Sequence, residues 1–147
     1  MAAPAYPEWF LVIHADKDTN AEIHIARSEN DDKYSLEIYQ DKNHAIRLRF
    51  SMNFNTDRLD TRHCPTYQID DHPPLNHSLN DAPCIIHEKW AEFLIGEPAN
   101  TDNSQVKQLI LGEQIIFRFI LDNGQYRETL FSLSGSGKII KDTLAAG

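Results

Sequence analysis

Two β-prone runs, Gln114 to Leu121 and Gln125 to Leu133, are joined by Asp122-Asn123-Gly124. Asn-Gly between alternating apolar runs is the strongest short-range hairpin signal, because both residues tolerate the positive φ that a tight β-turn requires. If all three residues form the loop, with Gly124 as the left-handed residue of a bulge, Arg118 falls opposite Glu128. A two-residue loop sets Phe119 against Glu128 instead. Opposite charges across a strand pair contribute up to about 1 kcal/mol, and an aromatic facing a carboxylate gains little, so the three-residue loop is the expected one. Ile115, Phe117, Phe119 and Leu121 then share a core face with Phe131. Beyond the hairpin, Ser134-Gly135-Ser136-Gly137-Lys138 breaks the strand pattern. Ile139, Ile140, Thr143 and Leu144 follow at helical spacing, which predicts a closing helix with Ser134 or Ser136 as its N-cap.

The first third reads as an antiparallel meander. Trp9 to His14, Ala21 to Arg27, Tyr34 to Gln40 and Ala45 to Ser51 are strand-sized runs separated by Asp-, Asn- and Lys-rich clusters. Ile23 and Ile25, Leu36 and Ile38, then Ile46, Leu48 and Phe50 mark the apolar faces, and Glu22, His24, Glu37, Arg47 and Arg49 mark the other. The middle differs. Pro65, Pro73, Pro74 and Pro83 interrupt it, Thr66 to Asp70 is its one strand-like piece before Cys84, and Asp71 to Ala82 reads as a long surface loop. Cys84 to Glu88 and Trp90 to Ile95 read as strands, and Val106 to Leu111 as either a short helix or a strand.

These readings describe one domain over residues 1–147, with residues 1–8 disordered. The expected fold is mainly β, an antiparallel two-layer sandwich or flattened barrel with a short C-terminal helix and about seven to nine strands. A chain of 147 residues buries a sufficient core without a metal or a disulfide framework. The net charge of -8 and scattered positive residues exclude a phosphate-binding stripe, and hence nucleic acid. No apolar run approaches the roughly 20 residues of a transmembrane helix. The opening lacks a basic n-region and an apolar h-region, which read literally means cytoplasmic. An Ala-Pro-rich start is also what a mature exported chain presents. Cys64 and Cys84 can close a loop of roughly 20 residues, where a disulfide contributes about 3 kcal/mol in the chain-entropy treatment. The expectation is a periplasmic or secreted protein whose signal is missing here, with a cytoplasmic location as the alternative.

No complete catalytic motif is present. His72, His77, Cys84 and His87 offer imidazole and thiolate donors of the kind Zn²⁺ prefers, but only His72 and His77 fall at paired-ligand spacing. A disulfide with solvated histidines is the preferred reading of that segment, and no cofactor is expected. Ser134 to Lys138 lacks both the leading glycine and the trailing Ser or Thr of a phosphate loop. His63 and Cys64 are adjacent in an extended stretch, so they point to opposite faces and make no nucleophile pair. Trp9 and Trp90 are candidates to line a ligand groove.

The order of features from Cys64 onward carries a resemblance. Tyr67-Gln68-Ile69-Asp70, Cys84 with its acidic strand, Leu109-Ile110-Leu111-Gly112-Glu113, and Phe131-Ser132-Leu133-Ser134-Gly135 before a helix resemble the invasion-associated locus B family of bacterial periplasmic proteins. The chain departs from that pattern in having no cysteine near Trp9 and in carrying Ser136 and Lys138 after the closing glycine. The resemblance implies a β-rich exported domain and carries over no catalytic residue. The expected function is therefore a non-enzymatic binding or interaction module of the bacterial envelope, acting on an unknown protein or small-molecule partner. A Zn-type metal-binding protein using residues 63–88 and a small hydrolase are the alternatives.

Overall fold

A computed structural model describes residues 9–15, 17–52, 56–74, 84–96 and 104–145. Within them run β1 (Phe10–Ala15), β2 (Glu22–Glu29), β3 (Ser35–Gln40), β4 (Ile46–Ser51), β5 (Thr66–Ile69), β6 (Ile85–Ile86), β7 (Trp90–Gly96), α1 (Ser104–Leu111), β8 (Gln114–Ile120), β9 (Tyr126–Ser132) and α2 (Ser136–Ala145). The strands form two open antiparallel sheets, one in the order β1-β2-β3-β4-β7-β6 and one in the order β5-β8-β9. The fold is a sandwich rather than a closed barrel, and it ends in a short helix. Residues 1–8 and most of the expected loop over 71–82 lie outside the described residues.

The C-terminal hairpin has the register that its charges favour. Arg118 pairs with Glu128, at 2.8 Å between Nε and Oε2. Gly124 sits at φ +87° and donates its N–H to Leu121 O, so the loop uses the one residue type that enters this region without a Cβ clash. Ile115, Phe117, Phe119, Leu121 and Phe131 are all buried. Across the sandwich they meet Phe50, whose ring stacks on Phe117 at 4.7 Å and lies 5.1 Å from Phe119. Tyr34 meets Phe119 edge-on, and Tyr67 bridges Phe93 and Phe117. Such aromatic pairs add about 0.5–1.5 kcal/mol each beyond area burial.

The meander departs from its expected faces in β2. Ala26 and Ser28, opposite Ile38 and Leu36, point into the core, whereas Ile23 and Ile25 lie half-buried on the outer face. Pairing parity decides this. Leu36 and Ile38 face inward, and a partner strand must place the same face opposite them. The flanking isoleucines lose to the small Ala26 and Ser28, which leave room beneath for α2, packed against β2 and β3. Residues 106–111, open between helix and strand, are helical. Val106 and Leu109 are buried one turn apart, which is what helical spacing gives. The expected strand at 84–88 shortens to Ile85–Ile86. Ser136 opens α2, but its hydroxyl donates to Leu109 O and ties the two helices together instead of capping its own. At Gly137 a Cβ would come within 3.1 Å of Ile110 O, so glycine permits this approach.

Polar and covalent links also join the layers. Asn30, in the β2–β3 turn, donates to Thr129 Oγ1 and Leu130 O of β9, and Thr129 donates to Asp32. Cys64, just before β5, and Cys84, just before β6, form a disulfide with Cα atoms 6.0 Å apart. The bond crosses from the small sheet to the large one.

Candidate functional site

The outer face of the large sheet is built by strand alternation. Where Leu48, Phe50, Ala91 and Phe93 turn inward, Arg47, Arg49, Trp90, Glu92 and Leu94 turn outward, and Glu37 and Tyr39 of β3 and Arg27 of β2 continue the same surface. The register sets Arg49 opposite Glu92 and Arg27 opposite Glu37.

Glu92 is the centre of this face and is only 6% exposed. Its Oε1 accepts the Tyr39 hydroxyl and two Arg49 nitrogens, Nε and Nη2, each at 3.1 Å. Arg47 reaches Glu92 Oε2 at 3.8 Å and holds Asp41 through Nε at 2.8 Å. Asp41 also accepts the N–H groups of Asn43 and Ala45. Farther out, Arg27 spans Glu37 at 2.8 Å and Glu29 at 3.0 Å. The Arg49 guanidinium lies 4.3 Å from the Trp90 ring centroid, and the His87 ring stacks on Trp90 at 5.5 Å with 12° between planes.

This wiring settles the protonation chemistry. Burial, then the hydrogen bond and charge of Glu92, push the Tyr39 phenol far above its ordinary range, so it remains a donor. Burial pulls the Asp41 carboxyl up, but the hydrogen bond from Arg47 and those from the Ala45 and Asn43 amides together outweigh it and hold the group below the usual carboxylate range. Burial pulls Arg27 down, but its bonds to Glu29 and Glu37 outweigh it and raise the group, and the hydrogen bond to Asp41 raises Arg47 against the opposing effect of burial. Each of the four carboxylates, Glu29, Glu37, Asp41 and Glu92, already holds an arginine. The face is suited to presenting a fixed pattern of guanidinium, indole and phenol surface, and poorly suited to moving protons.

The residues singled out from sequence scatter around this face. Trp90 lies on it, with His87 stacked alongside. Trp9 does not: it is buried on the core side and donates Nε1–H to Ser132 O at 2.8 Å. The groove expected between Trp9 and Trp90 is therefore not formed, because opposite faces of one sheet separate the two indoles. The zinc set fails for a chemical reason. Cys84 is consumed by its bond to Cys64, His87 is engaged with Trp90 and accepts the Lys89 N–H, and His77 lies outside the described residues. His72 follows β5, and among the described residues no group of three or more His, Cys, Asp or Glu is placed to hold a metal. His63 faces Asp60 at 3.2 Å, away from any thiol, and Asp60 is held far below its usual range by the side-chain and backbone hydrogen bonds of Arg62.

Tyr39, Arg47, Arg49 and Glu92 are the residues that sequence reasoning did not assemble. Their outward alternation was legible, as Arg47-Leu48-Arg49 and Ala91-Glu92-Phe93, but the pairing of β4 with β7 across the intervening small-sheet strand was not. Comparison with known proteins finds no matching family model, no similar curated protein and no similar solved structure.

Proposed function

We propose that this chain is a non-enzymatic binding module of the bacterial envelope that engages a protein partner through the outer face of its large sheet. The observation that carries the reading is the composition of that face: arginine, tryptophan and tyrosine surround a carboxylate whose charge is already satisfied. Arg, Trp and Tyr are the residues that dominate binding energy at protein interfaces, and a guanidinium pre-positioned over an indole loses little freedom on docking. The Cys64–Cys84 bond supports export, since such bonds persist in oxidising compartments. The resemblance to the invasion-associated locus B family points to the same compartment.

The test uses the immobilised oxidised protein and a detergent-solubilised bacterial envelope extract, comparing the unaltered chain with Trp90→Ala and Arg49→Ala. A specific envelope protein retained by the unaltered chain and lost from both variants, at a temperature where circular dichroism shows all three proteins folded, is the expected result. Equal retention by all three proteins would assign the contact to another surface and overturn the reading.

A further inference from the structure

Among the described residues, three of the four sheet edges are blunted and the fourth is not. β6 has two residues, and β5 has four, directly after Pro65. β9 is longer, but its open side is taken. Leu133 N–H bonds to Glu113 O, so by alternation the carbonyls of Leu130 and Ser132 face away from β8. They accept Asn30 Nδ2 and Trp9 Nε1. Arg127 and Glu128 add charge to the same strand. Short, plugged or charged edges resist pairing with another chain.

β1, the remaining edge, runs over six residues with no Asp, Glu, Lys, Arg, proline or bulge. The direction of its main-chain groups follows from its neighbours. Asn30 N–H bonds to Tyr34 O, so even-numbered residues of β2 bond to β3, and the odd-numbered Ile23, Ile25 and Arg27 bond to β1. Their partners are His14, Val12 and Phe10. The N–H and C=O groups of Leu11 and Ile13 therefore lie on the open side, and among the described residues nothing pairs with them. The side chains carry the same message. An antiparallel strand with one wet face alternates apolar and polar residues, whereas Phe10-Leu11-Val12-Ile13 is apolar on both faces, the pattern of a strand covered on both.

We propose that β1 pairs antiparallel with β1 of a second copy of this chain, about a twofold axis at Val12. Leu11 of one copy then exchanges main-chain bonds with Ile13 of the other. Val12 meets Val12 in the intervening pair, where side chains approach most closely, and Phe10 faces His14. This register keeps like faces of the two sheets together, as parity requires. Charge selects the occupant. Copies of a chain with net charge -8 repel where their acids meet, and along β1 no like charges stand opposite one another. A second copy also brings the same vacant donors and acceptors in antiparallel order, the self-complementarity that a twofold interface needs. The two six-stranded sheets become one of twelve strands, with both arginine-rich outer faces on one side. The pairing does not rest on the function proposed for that face. A single strand pair falls in the small-interface class, below about 1,200 Å², so the dimer is weak, with a Kd of about 0.1–1 mM, and dilute protein is monomeric with β1 open.

The experiment is sedimentation equilibrium of the full oxidised chain from about 10 µM to 2 mM, beside Ile13→Lys, Val12→Lys and, on another surface, Leu130→Lys, each checked for folding by circular dichroism. We expect a reversible monomer–dimer equilibrium, weakened at least tenfold by Ile13→Lys and by Val12→Lys, which sets two lysines directly opposite, and unchanged by Leu130→Lys. A chain monomeric to 2 mM would overturn the proposal, even if it bound an extended peptide of another protein along β1. Dimerisation undiminished in folded Ile13→Lys, or weakened equally by Leu130→Lys, would also overturn it. Isotope-filtered NOEs on a mixture of labelled and unlabelled unaltered chains need no variant to fold. A contact between Val12 Hα of one copy and Val12 Hα of the other is the expected result, and its absence in the dimer would contradict the pairing.

Discussion

The two outer hairpins, β1–β2 and β8–β9, begin from similar material and end in opposite environments. Phe10-Leu11-Val12-Ile13 is as apolar as Ile115-Ile116-Phe117, yet Phe10, Leu11 and Ile13 are 42%, 40% and 52% exposed while Ile115 and Phe117 are fully buried. Both are antiparallel pairs, and neither carries a charge at those positions. What separates them is the second layer. The β8–β9 pair is itself half of the sandwich, with Phe50, Tyr34 and Phe93 on the facing sheet within ring contact of its own aromatics or of Tyr67 beside them. β1 is the edge strand of the six-stranded sheet, beyond the three-stranded layer, and Trp9, just before it, bonds to the small sheet. Apolar character proposes burial, and a facing layer decides it.

If this comparison is right, truncation of a ring in β8 should have the largest effect of any single change. Phe119→Ala is expected to cost about 3–5 kcal/mol in a denaturant melt, since lost transfer energy and a cavity add. A cost under about 1 kcal/mol would place Phe119 outside the packed centre. Next comes the link between layers. Reducing the Cys64–Cys84 bond, or replacing both cysteines by Ser, should remove about 3 kcal/mol, as expected for a closed loop of this size. An unchanged melt under reducing conditions would mean that the disulfide constrains nothing in the unfolded chain.

The outer face offers an intermediate effect. Glu92→Gln keeps the shape but removes the charge that Arg49 and Tyr39 share, and about 1.5–3 kcal/mol should go with it. Acid should act on one carboxylate of this network, Asp41, and on Asp60 outside it, in a defined direction. The Asp41 and Asp60 carboxyls lie below their ordinary values in the fold, so their stabilising contribution is complete above the unfolded value of about 4 and is lost as pH falls below it toward the folded values. Asp41→Asn should therefore flatten the pH dependence of the melting midpoint below about pH 4 and leave its shape near neutrality unchanged. A variant with the parent's acid slope would show that Asp41 takes no part. The smallest effect belongs to β1: Ile13→Ala should alter stability by no more than about 0.5 kcal/mol, as for an ordinary surface substitution.

How much of this was written in the sequence follows from which interactions are local. The β8–β9 register needed only residues on either side of Asn123-Gly124 and a choice between facing Glu128 with Arg118 or with Phe119. The faces of β3, β4 and β8 followed from alternation. β2 misled because Ile23 and Ile25 are more apolar than Ala26 and Ser28, and the preference of Leu36 and Ile38 for the core, transmitted through pairing, overrode that difference. The outer-face network was illegible for another reason. Glu92 meets Arg49 only because β7 returns to pair with β4 after the chain has left for β5 in the other sheet, and no local pattern announces that return.

The most direct test of the two-layer account is native-state hydrogen exchange, read amide by amide. The β8 amides that pair with β9 should exchange only through global unfolding, with the full dependence on denaturant. The β1 amides that pair with β2 should exchange through a local opening of clearly lower free energy and weak denaturant dependence. Equal protection in β1 and β8, merging on one global opening, would contradict the claim that coverage by the second layer, and not apolar sequence, sets what is core in this molecule.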